Sequence, residues 1–338
     1  MRLKYYNPTF IEETLRERNI ETRCHQCFPS CTYTTYVMKY LHYTTDSQLK
    51  NAIKWLEKKI GRKVEYNDLG GKERMFTISI PNQQRVFMSY RNNHPLLNSK
   101  TNGELLLGVD KMNKGITANI KNTKSILVGG ASGGGKSVCM NNLICSLIQH
   151  SNRVKLCLID LKKCEFTSYS KSRKLLYPIA TTYEEAVSIL KKLLDEIHKR
   201  YAYMQARGIR QATDNDFETI VCFIDEYAML TSINQREIDD LVGQISAIGR
   251  ASNVYLVIAT QMPTNKVISN TIRSNIQSRI CLRTMNTAQS VAILGTRDGV
   301  DLLGYGDAYL SLDGVAELKR VQVFNITSED IEEIMRKY

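Results

Sequence analysis

From about residue 104 onward, short apolar runs alternate with longer segments in which apolar residues recur at helical spacing. The runs predict strands at 125–129, 154–160, 219–225, 254–260 and 279–284. The helical spacing predicts long helices at 183–206 and about 235–250, and a short acidic helix at 328–336. Thr181 and Glu184 fit a capping box for the first of these helices. Strands that alternate with helices in this way indicate an α/β domain built on a mainly parallel sheet.

The N-terminal third has a different pattern. Residues 46–60 read as an amphipathic helix that stops at Gly61. The apolar runs 76–80 and 85–90 flank a Pro-containing turn and predict a hairpin. We therefore predict a small α+β module over residues 36–100, an unassigned polar segment over 1–35, and the α/β domain over 101–338.

A glycine-rich turn follows the first predicted strand of the α/β domain and precedes a segment of helical spacing. It contains Gly130, Ala131, Ser132, Gly133, Gly134, Gly135, Lys136 and Ser137, which is the Gly-x-x-x-x-Gly-Lys-Ser spacing of a P-loop. Glycines let successive N–H groups approach phosphate oxygens, and the helix that starts there adds the positive end of its dipole. We predict that these residues and Val138 bind ATP, with Lys136 at the β- and γ-phosphates and Ser137 at Mg²⁺.

Two adjacent carboxylates end the apolar run 219–225. Asp225 is placed to hold the Mg²⁺ shell, directly or through water, and Glu226 to polarise the attacking water. Gln261 follows the strand 254–260 and is a candidate sensor of the γ-phosphate. An arginine that meets transition-state charge accelerates such hydrolysis, often from a neighbouring subunit. Spacing does not choose among Arg250, Arg279 and Arg283.

Composition adds two expectations. The net charge of +12 over 338 residues favours a polyanionic partner, either nucleic acid or an anionic membrane surface. Nine cysteines without a secretion signal indicate reduced thiols in the cytoplasm, and no apolar run approaches the ~18 residues that span a bilayer. Cys24, Cys27 and Cys31 could begin a zinc site, but no second pair follows at a usual distance, which favours free thiols.

These segments together resemble the motor domain of the FtsK/SpoIIIE family of DNA translocases over about residues 40–325. The segments that carry the resemblance are Leu107–Asp110, the P-loop through Asn142, Leu158–Lys162, Lys199–Met204, Phe223–Tyr227, Ala259–Pro263, Asn275–Ile280 and Leu303–Asp307. The resemblance implies a hexameric, RecA-like, ATP-driven pump for double-stranded DNA, with DNA in the central pore. The family's trans-acting arginine falls on Arg250.

The resemblance also has departures. We see no membrane helix and no winged-helix module, and Met262 stands where the family usually has arginine. We therefore expect a compact, anchorless member that serves DNA transfer or segregation of a mobile element, with membrane proteins as possible partners. Lys266 and Arg273 lie near a loop that would face the DNA.

Three alternatives stay open from the sequence. One is a coupling ATPase of type IV secretion or conjugation that acts on single-stranded DNA. Another is a protein-secretion ATPase, and a third is a nucleotide-dependent scaffold that does not hydrolyse ATP. Glu226 argues against the scaffold, which has no use for a water-activating carboxylate.

Overall fold

The computed structural model of the chain describes residues 4–70, 74–97 and 101–338. The contacts among these residues separate two compact units. The first unit contains the described residues up to Met88 together with Val109–Lys114, and the second contains the rest. The predicted boundary at residue 100 is therefore wrong. Tyr90 already belongs to the second unit, where it is buried and its hydroxyl donates to Gln149 Oε1 at 2.8 Å.

The first unit is an antiparallel sheet with two helices packed on it. Its elements are α1 (Pro8–Arg16), β1 (Thr22–Pro29), β2 (Tyr33–Tyr40), α2 (Asp46–Ile60), β3 (Glu65–Gly70) and β4 (Met75–Pro81). Among the described residues, four strands pair in the order β1-β2-β4-β3. The two helices and the central strands share one apolar core, which contains Ile11, Leu15, Tyr36, Met38, Leu49, Ile53, Leu56, Phe76, Ile78 and Ile80.

The polar N-terminal segment, which the sequence left unassigned, is part of this unit. It contains α1 and β1 and extends into β2. β1 is an edge strand, and most of its side chains are exposed, so it lacks the alternation that marks a half-buried strand. Polar composition therefore concealed a regular element.

The predicted hairpin between 76–80 and 85–90 is also wrong, because β4 pairs with β2 and β3 while residues 85–90 form no extended strand. After β4 the chain follows the start of β2, where Asn82 N–H donates to the carbonyl of Thr32 at 2.9 Å. The buried Asn82 amide also donates to the carbonyl of Ser30 at 2.7 Å. These contacts hold the chain in line and prevent a turn back onto β4.

The second unit is an α/β domain. Its first elements are α3 (Tyr90–Asn93), β5 (Glu104–Val109), β6 (Gly115–Asn119), α4 (Ile120–Thr123), β7 (Ile126–Gly129), α5 (Lys136–His150) and β8 (Val154–Ile159). They are followed by α6 (Tyr183–Ala206), β9 (Thr219–Ile224), α7 (Tyr227–Ile248), β10 (Val254–Thr260), α8 (Asn270–Asn275) and β11 (Ser278–Leu282). The last elements are α9 (Thr287–Leu294), β12 (Asp307–Ser311), β13 (Lys319–Gln322) and α10 (Ser328–Lys337).

Nine strands of the described chain form one sheet in the order β6-β5-β13-β12-β11-β7-β10-β9-β8. The five strands from β11 to β8 in that order are parallel, and they are the five strands that the sequence predicts. β12 and β13 extend the sheet antiparallel and were not predicted. Every residue of β9 and β10 is buried, as expected for strands covered by helices on both faces. The α/β fold with a mainly parallel sheet is confirmed.

Two helix boundaries differ from prediction. α6 is capped by Thr182 with Glu185, one residue later than the predicted pair. α7 begins at Tyr227, eight residues before the predicted start, and its backbone leaves helical geometry at Asn234. The Asn234 side chain accepts the N–H of Glu237 at 3.2 Å and so acts as an internal cap for the second half.

Candidate nucleotide site

The P-loop connects β7 to α5 at the edge of the sheet where the parallel strands end. Gly130 through Gly135 form the turn, and Lys136, Ser137 and Val138 form the first turn of α5. Gly133 and Gly135 have φ of +74° and +101°, a region that residues with a side chain rarely adopt. The turn geometry thus favours glycine at Gly135, which the motif fixes, and also at Gly133, which the motif leaves open.

A second loop, which contains Tyr305 and Gly306, packs against the P-loop and supports it. The N–H groups of Tyr305 and Gly306 donate to the carbonyls of Gly133 at 3.1 Å and Gly134 at 2.7 Å. The approach is close enough that a Cβ on Gly135 would lie 2.4 Å from the nitrogen of Gly306. The conformation of the P-loop is therefore set by tertiary contacts as well as by its own sequence.

Lys136 and Asp225 form a buried pair at the centre of the site, with side chains 3% and 2% exposed. The ammonium of Lys136 contacts Asp225 Oδ1 and donates to the Asp225 carbonyl at 2.9 Å. Burial raises the pKa of Asp225, and the ammonium of Lys136 opposes that rise. The second carboxylate oxygen, Oδ2, is buried and has no hydrogen-bond partner among the described residues.

Ser137 contacts a carboxylate that the sequence did not single out. Its hydroxyl donates to Glu165 Oε1 at 2.8 Å. Glu165 lies in the turn after β8, where Asp160 Oδ2 accepts the N–H groups of Glu165 at 2.9 Å and Phe166 at 3.0 Å. Mg²⁺ prefers such hard oxygen donors, so the Ser137 hydroxyl and the unpartnered Asp225 oxygen have the chemistry of residues that would hold the ion.

Glu226 is held from three sides. Its Oε1 accepts the Thr260 hydroxyl at 2.7 Å and the Gln261 N–H at 3.1 Å, and its Oε2 lies 3.1 Å from Lys162 Nζ. Burial lowers the pKa of Lys162, but the hydrogen bond and the charge of Glu226 outweigh it, so that the net shift is upward. Glu226 and Gln261, predicted from separate strands, thus meet through the backbone N–H of Gln261.

The three candidate arginines lie at different places. Arg250 is exposed just before β10, at the opposite edge of the sheet from the P-loop. Because β10 has seven residues, that distance is about 20 Å. Arg279 donates to the carbonyls of Ile293 at 2.7 Å and Arg273 at 3.0 Å, which fixes it in the fold. Arg283 is exposed beside the P-loop, and its carbonyl accepts the Ala131 N–H at 2.8 Å.

The loop after β10 contains the predicted polyanion contacts. Lys266 and Met262 are exposed on it. Arg273, in the last turn of the following helix, α8, is partly buried and donates to Asn265 Oδ1 at 2.7 Å and the Ile268 carbonyl at 3.2 Å. Arg273 therefore holds the shape of the loop, while Lys266 faces solvent.

Sequence reasoning missed Glu165, Asp160, Lys162, Thr260 and the supporting loop at Tyr305 as parts of the site. Two signals were present, because Asp160 ends a predicted parallel strand and Lys162 lies just past it, and the carboxyl ends of such strands meet at one edge. Glu165 had no signal of this kind, since it lies in an irregular turn.

The described residues contain no group of three or more His, Cys, Asp and Glu side chains arranged to hold a metal ion. Cys24 and Cys27 lie on β1 and are partly buried, and Cys31 is buried beyond its end. Burial raises the pKa of Cys24 to about 11.

The family model of the FtsK/SpoIIIE family matches residues 89–283, more than half of the chain. The chain belongs to the FtsK/SpoIIIE family. It is 33% identical over 274 residues to the DNA translocase FtsK of Clostridium acetobutylicum, and 29% identical over 279 residues to the DNA translocase SpoIIIE of Bacillus subtilis. Each match covers 76% of this chain and 36% of the relative, so the chain spans about a third of these curated proteins. With the P-loop core, the family identifies the chain as an ATP-hydrolysing enzyme.

Solved structures agree on the fold. The pCW3 conjugation coupling protein TcpA, solved with ATPγS, matches with a TM-score of 0.66 and 18% identity, covering 98% of this chain and 99% of that one. The type VII secretion ATPase EccC of Thermomonospora curvata matches with a TM-score of 0.63 and 19% identity, over 75% and 34% of the two chains. Over the part of the chain that is described, no helix has both the length and the apolar character to cross a membrane.

Proposed function

We propose that this chain is the motor of an ATP-dependent double-stranded DNA translocase that works as a homo-oligomeric ring, by family resemblance a hexamer. The observation that supports the proposal most directly is the division of catalytic groups between two edges of one sheet. Lys136, Ser137, Asp225 and Glu226 converge at one edge, and Arg250 is exposed at the other. One chain cannot bring both edges to the same phosphate.

In the proposed cycle, the residues at the P-loop edge exchange contacts with one another for contacts with the nucleotide. Lys136 leaves Asp225 for the β- and γ-phosphates, and the P-loop N–H groups hold their oxygens. The bound Mg²⁺ supplies Lewis-acid stabilisation of the phosphate charge, at Ser137 and Asp225. Glu226 orients and deprotonates the attacking water, and Gln261, whose N–H already contacts that carboxylate, senses the loss of the γ-phosphate.

Arg250 completes the site of the next subunit in this proposal. A head-to-tail interface closes into a ring when its rotation allows, and it places the same two edges against each other at every seam. An arginine that reaches the transferred phosphate in this way contributes about 10³–10⁵ in rate. Hydrolysis at one seam is thereby coupled to the position of the neighbouring subunit.

Duplex DNA is proposed as the cargo. The curated relatives are named DNA translocases, and the net charge of +12 suits a phosphate polymer. Exposed Lys266 after β10 is proposed to contact the backbone, so affinity should depend little on sequence and should fall steeply with salt.

The test is ATP hydrolysis by the purified chain with and without linear duplex DNA, together with displacement of a third strand from a triplex placed along that duplex. We expect stimulation by duplex and displacement of the third strand, both lost in Lys136→Ala and both kept in Lys199→Ala, whose side chain is exposed on α6. Hydrolysis that ignores duplex DNA would contradict translocation.

The same assay separates the other cargoes. Stronger stimulation by single-stranded DNA would indicate a conjugation-type coupling ATPase, and stimulation by a peptide alone would indicate a protein-secretion ATPase. We further propose cytoplasmic action for a mobile element, with membrane proteins as recruiting partners. A relaxase gene beside this one would support conjugative transfer.

A further inference from the structure

The turn after β8 places a further carboxylate, Glu165, at the edge of the sheet that carries the P-loop. This residue belongs neither to the P-loop nor to the Asp225–Glu226 pair. Glu165 Oε1 lies 2.8 Å from the hydroxyl oxygen of Ser137. That hydroxyl is the one predicted to bind Mg²⁺. We infer that Glu165 belongs to the Mg²⁺ site of this enzyme, as a third protein residue beside Ser137 and Asp225. The inference rests on the proposed nucleotide site and deepens it.

The position of Glu165 is defined by the fold, because two backbone N–H groups of its turn donate to the buried carboxylate of Asp160. Asp160, which is 1% exposed, accepts the N–H groups of Glu165 and Phe166 through one oxygen. Lys163, inside the same turn, has φ of +58°, which side-chain-bearing residues adopt rarely. The turn thus presents Glu165 to Ser137 in one defined orientation.

The distance agrees with a shared cation. Mg²⁺ binds six oxygens at about 2.1 Å in near-octahedral geometry, so that neighbouring ligand oxygens lie ~3.0 Å apart. The observed 2.8 Å separation between the oxygens of Ser137 and Glu165 is close to that edge. It is also an ordinary hydrogen-bond length, so a second observation has to decide between the two readings.

That second observation is an unpartnered oxygen on Asp225. The residue is 1% exposed, and its Oδ2 has no hydrogen-bond partner among the described residues. A buried carboxylate oxygen without a donor is costly unless a cation meets it.

Charge supports the same conclusion. The contacting side chains of this edge include the four carboxylates of Asp160, Glu165, Asp225 and Glu226, whereas Lys136 and Lys162 supply the ammonium groups. The four carboxylates therefore exceed the two ammonium groups by two negative charges, and one divalent cation would neutralise this excess. Once Lys136 turns to the phosphates, the demand for a cation beside Asp225 increases further.

The experiment measures metal binding and nucleotide binding separately in Glu165→Gln. Mn²⁺ affinity is read from the electron paramagnetic resonance signal of free Mn²⁺ in the presence of ATPγS, and nucleotide affinity is read with a fluorescent ATP analogue in EDTA and in Mg²⁺. Glu165→Gln keeps the size and hydrogen-bonding ability of the side chain and removes only its charge. Glu332→Gln, exposed on α10, is the matched control.

We expect Glu165→Gln to weaken Mn²⁺ binding by about 10-fold or more, to reduce the gain in nucleotide affinity that Mg²⁺ confers, and to leave affinity in EDTA unchanged. Glu165→Asp should restore part of the Mn²⁺ affinity. Wild-type Mn²⁺ affinity in Glu165→Gln would overturn the inference and leave Glu165 as a hydrogen-bond acceptor for Ser137. If wild-type protein binds no nucleotide at all, the proposed function itself fails.

Discussion

The two edges of the parallel sheet in the second unit are built in opposite ways. At the edge with the P-loop, charged side chains pair with one another: Lys136 and Asp225 are both buried, and the exposed Lys162 contacts the buried Glu226. At the other edge, Arg250 is exposed on a short 3₁₀ segment, about 20 Å away along β10. One edge is a set of charged groups paired with one another, while the other exposes arginines, Arg250 among them, to solvent. This difference is what a ring of identical subunits requires, since each site would combine both edges.

The largest expected effect tests the exposed edge. Arg250→Ala should lower the DNA-stimulated rate of ATP hydrolysis by about 10³-fold, while leaving nucleotide affinity nearly unchanged. Arg153→Ala is the matched control, because Arg153 is also exposed and precedes a parallel strand, β8, at the same edge.

Mixing two inactive variants tests whether Arg250 acts between subunits. Lys136→Ala and Arg250→Ala subunits are each expected to be inactive alone, yet about a quarter of the seams in a randomly mixed ring combine an intact Lys136 with an intact Arg250. Recovery of hydrolysis on mixing would therefore support action between subunits. A mixture as inactive as its components would refute the division between the edges.

The next effect belongs to the buried edge. Glu226→Gln should reduce hydrolysis by about 10²-fold or more, because an amide cannot take the proton of the attacking water. ATP binding, measured with a fluorescent analogue, should persist, since the contacts of Glu226 with Thr260 and Gln261 involve no phosphate position. Loss of nucleotide binding together with hydrolysis would instead show that Glu226 acts by holding the site together. Glu332→Gln should match wild type in both assays.

A smaller effect concerns the fit of the P-loop against the supporting loop. Gly135→Ala places a Cβ 2.4 Å from Gly306 N at a φ of +101°, whereas Gly208→Ala has a φ of +65° and open space around it. The left-handed conformation alone costs about 1–2 kcal/mol, so Gly208→Ala should lower stability by that amount. Gly135→Ala should be more destabilising in denaturant unfolding and should also lose nucleotide affinity. Equal stability of the two variants would contradict the close packing of these loops.

The smallest effect lies at the far end of α5, the helix that begins with Lys136. His150 Nε2 lies 3.2 Å from His94 Nδ1, and burial lowers the pKa of both rings, with Lys337 adding to the effect on His94. Below about pH 6.5 the unfolded chain takes up protons more readily than the folded chain, so stability should fall as the pH drops through that value.

Thermal unfolding at several pH values checks this expectation. His150→Asn should flatten the decline of Tm between pH 7 and pH 5, a change of about 2 °C or less because both rings are partly exposed. His198→Gln, which removes an exposed histidine on α6, should leave the decline unchanged. If Tm falls as steeply in both variants as in the wild type, other titratable groups are responsible for the pH dependence.

Much of the parallel core could be predicted because its signals are local. β7 to β11 are apolar runs, and the P-loop and the Asp225–Glu226 pair are contiguous segments whose residue types follow from phosphate and metal chemistry. The N-terminal strand β1 was missed because it is an edge strand whose side chains are mostly exposed, so it lacks the alternation that identifies a half-buried strand. β12 and β13 lie inside the sheet, and they were missed because they have only five and four residues and include charged side chains. The prediction of a hairpin was wrong at Asn82, because a buried side-chain amide that donates to the carbonyl of a residue far away in sequence leaves no local pattern.

The sequence by itself determined the chemistry of this protein, because a glycine-rich turn with Lys136 and Ser137, and two carboxylates after an apolar strand, need their residue types in fixed local order. Only the tertiary structure decided which groups meet. Folding brought Glu165 to Ser137, Lys162 to Glu226 and the loop at Tyr305 under the P-loop, and it separated Arg250 from all of them. The physical reason is that parallel strands collect their carboxyl ends at one edge, so residues far apart in the chain become neighbours there, while a residue just before a strand is carried to the opposite edge.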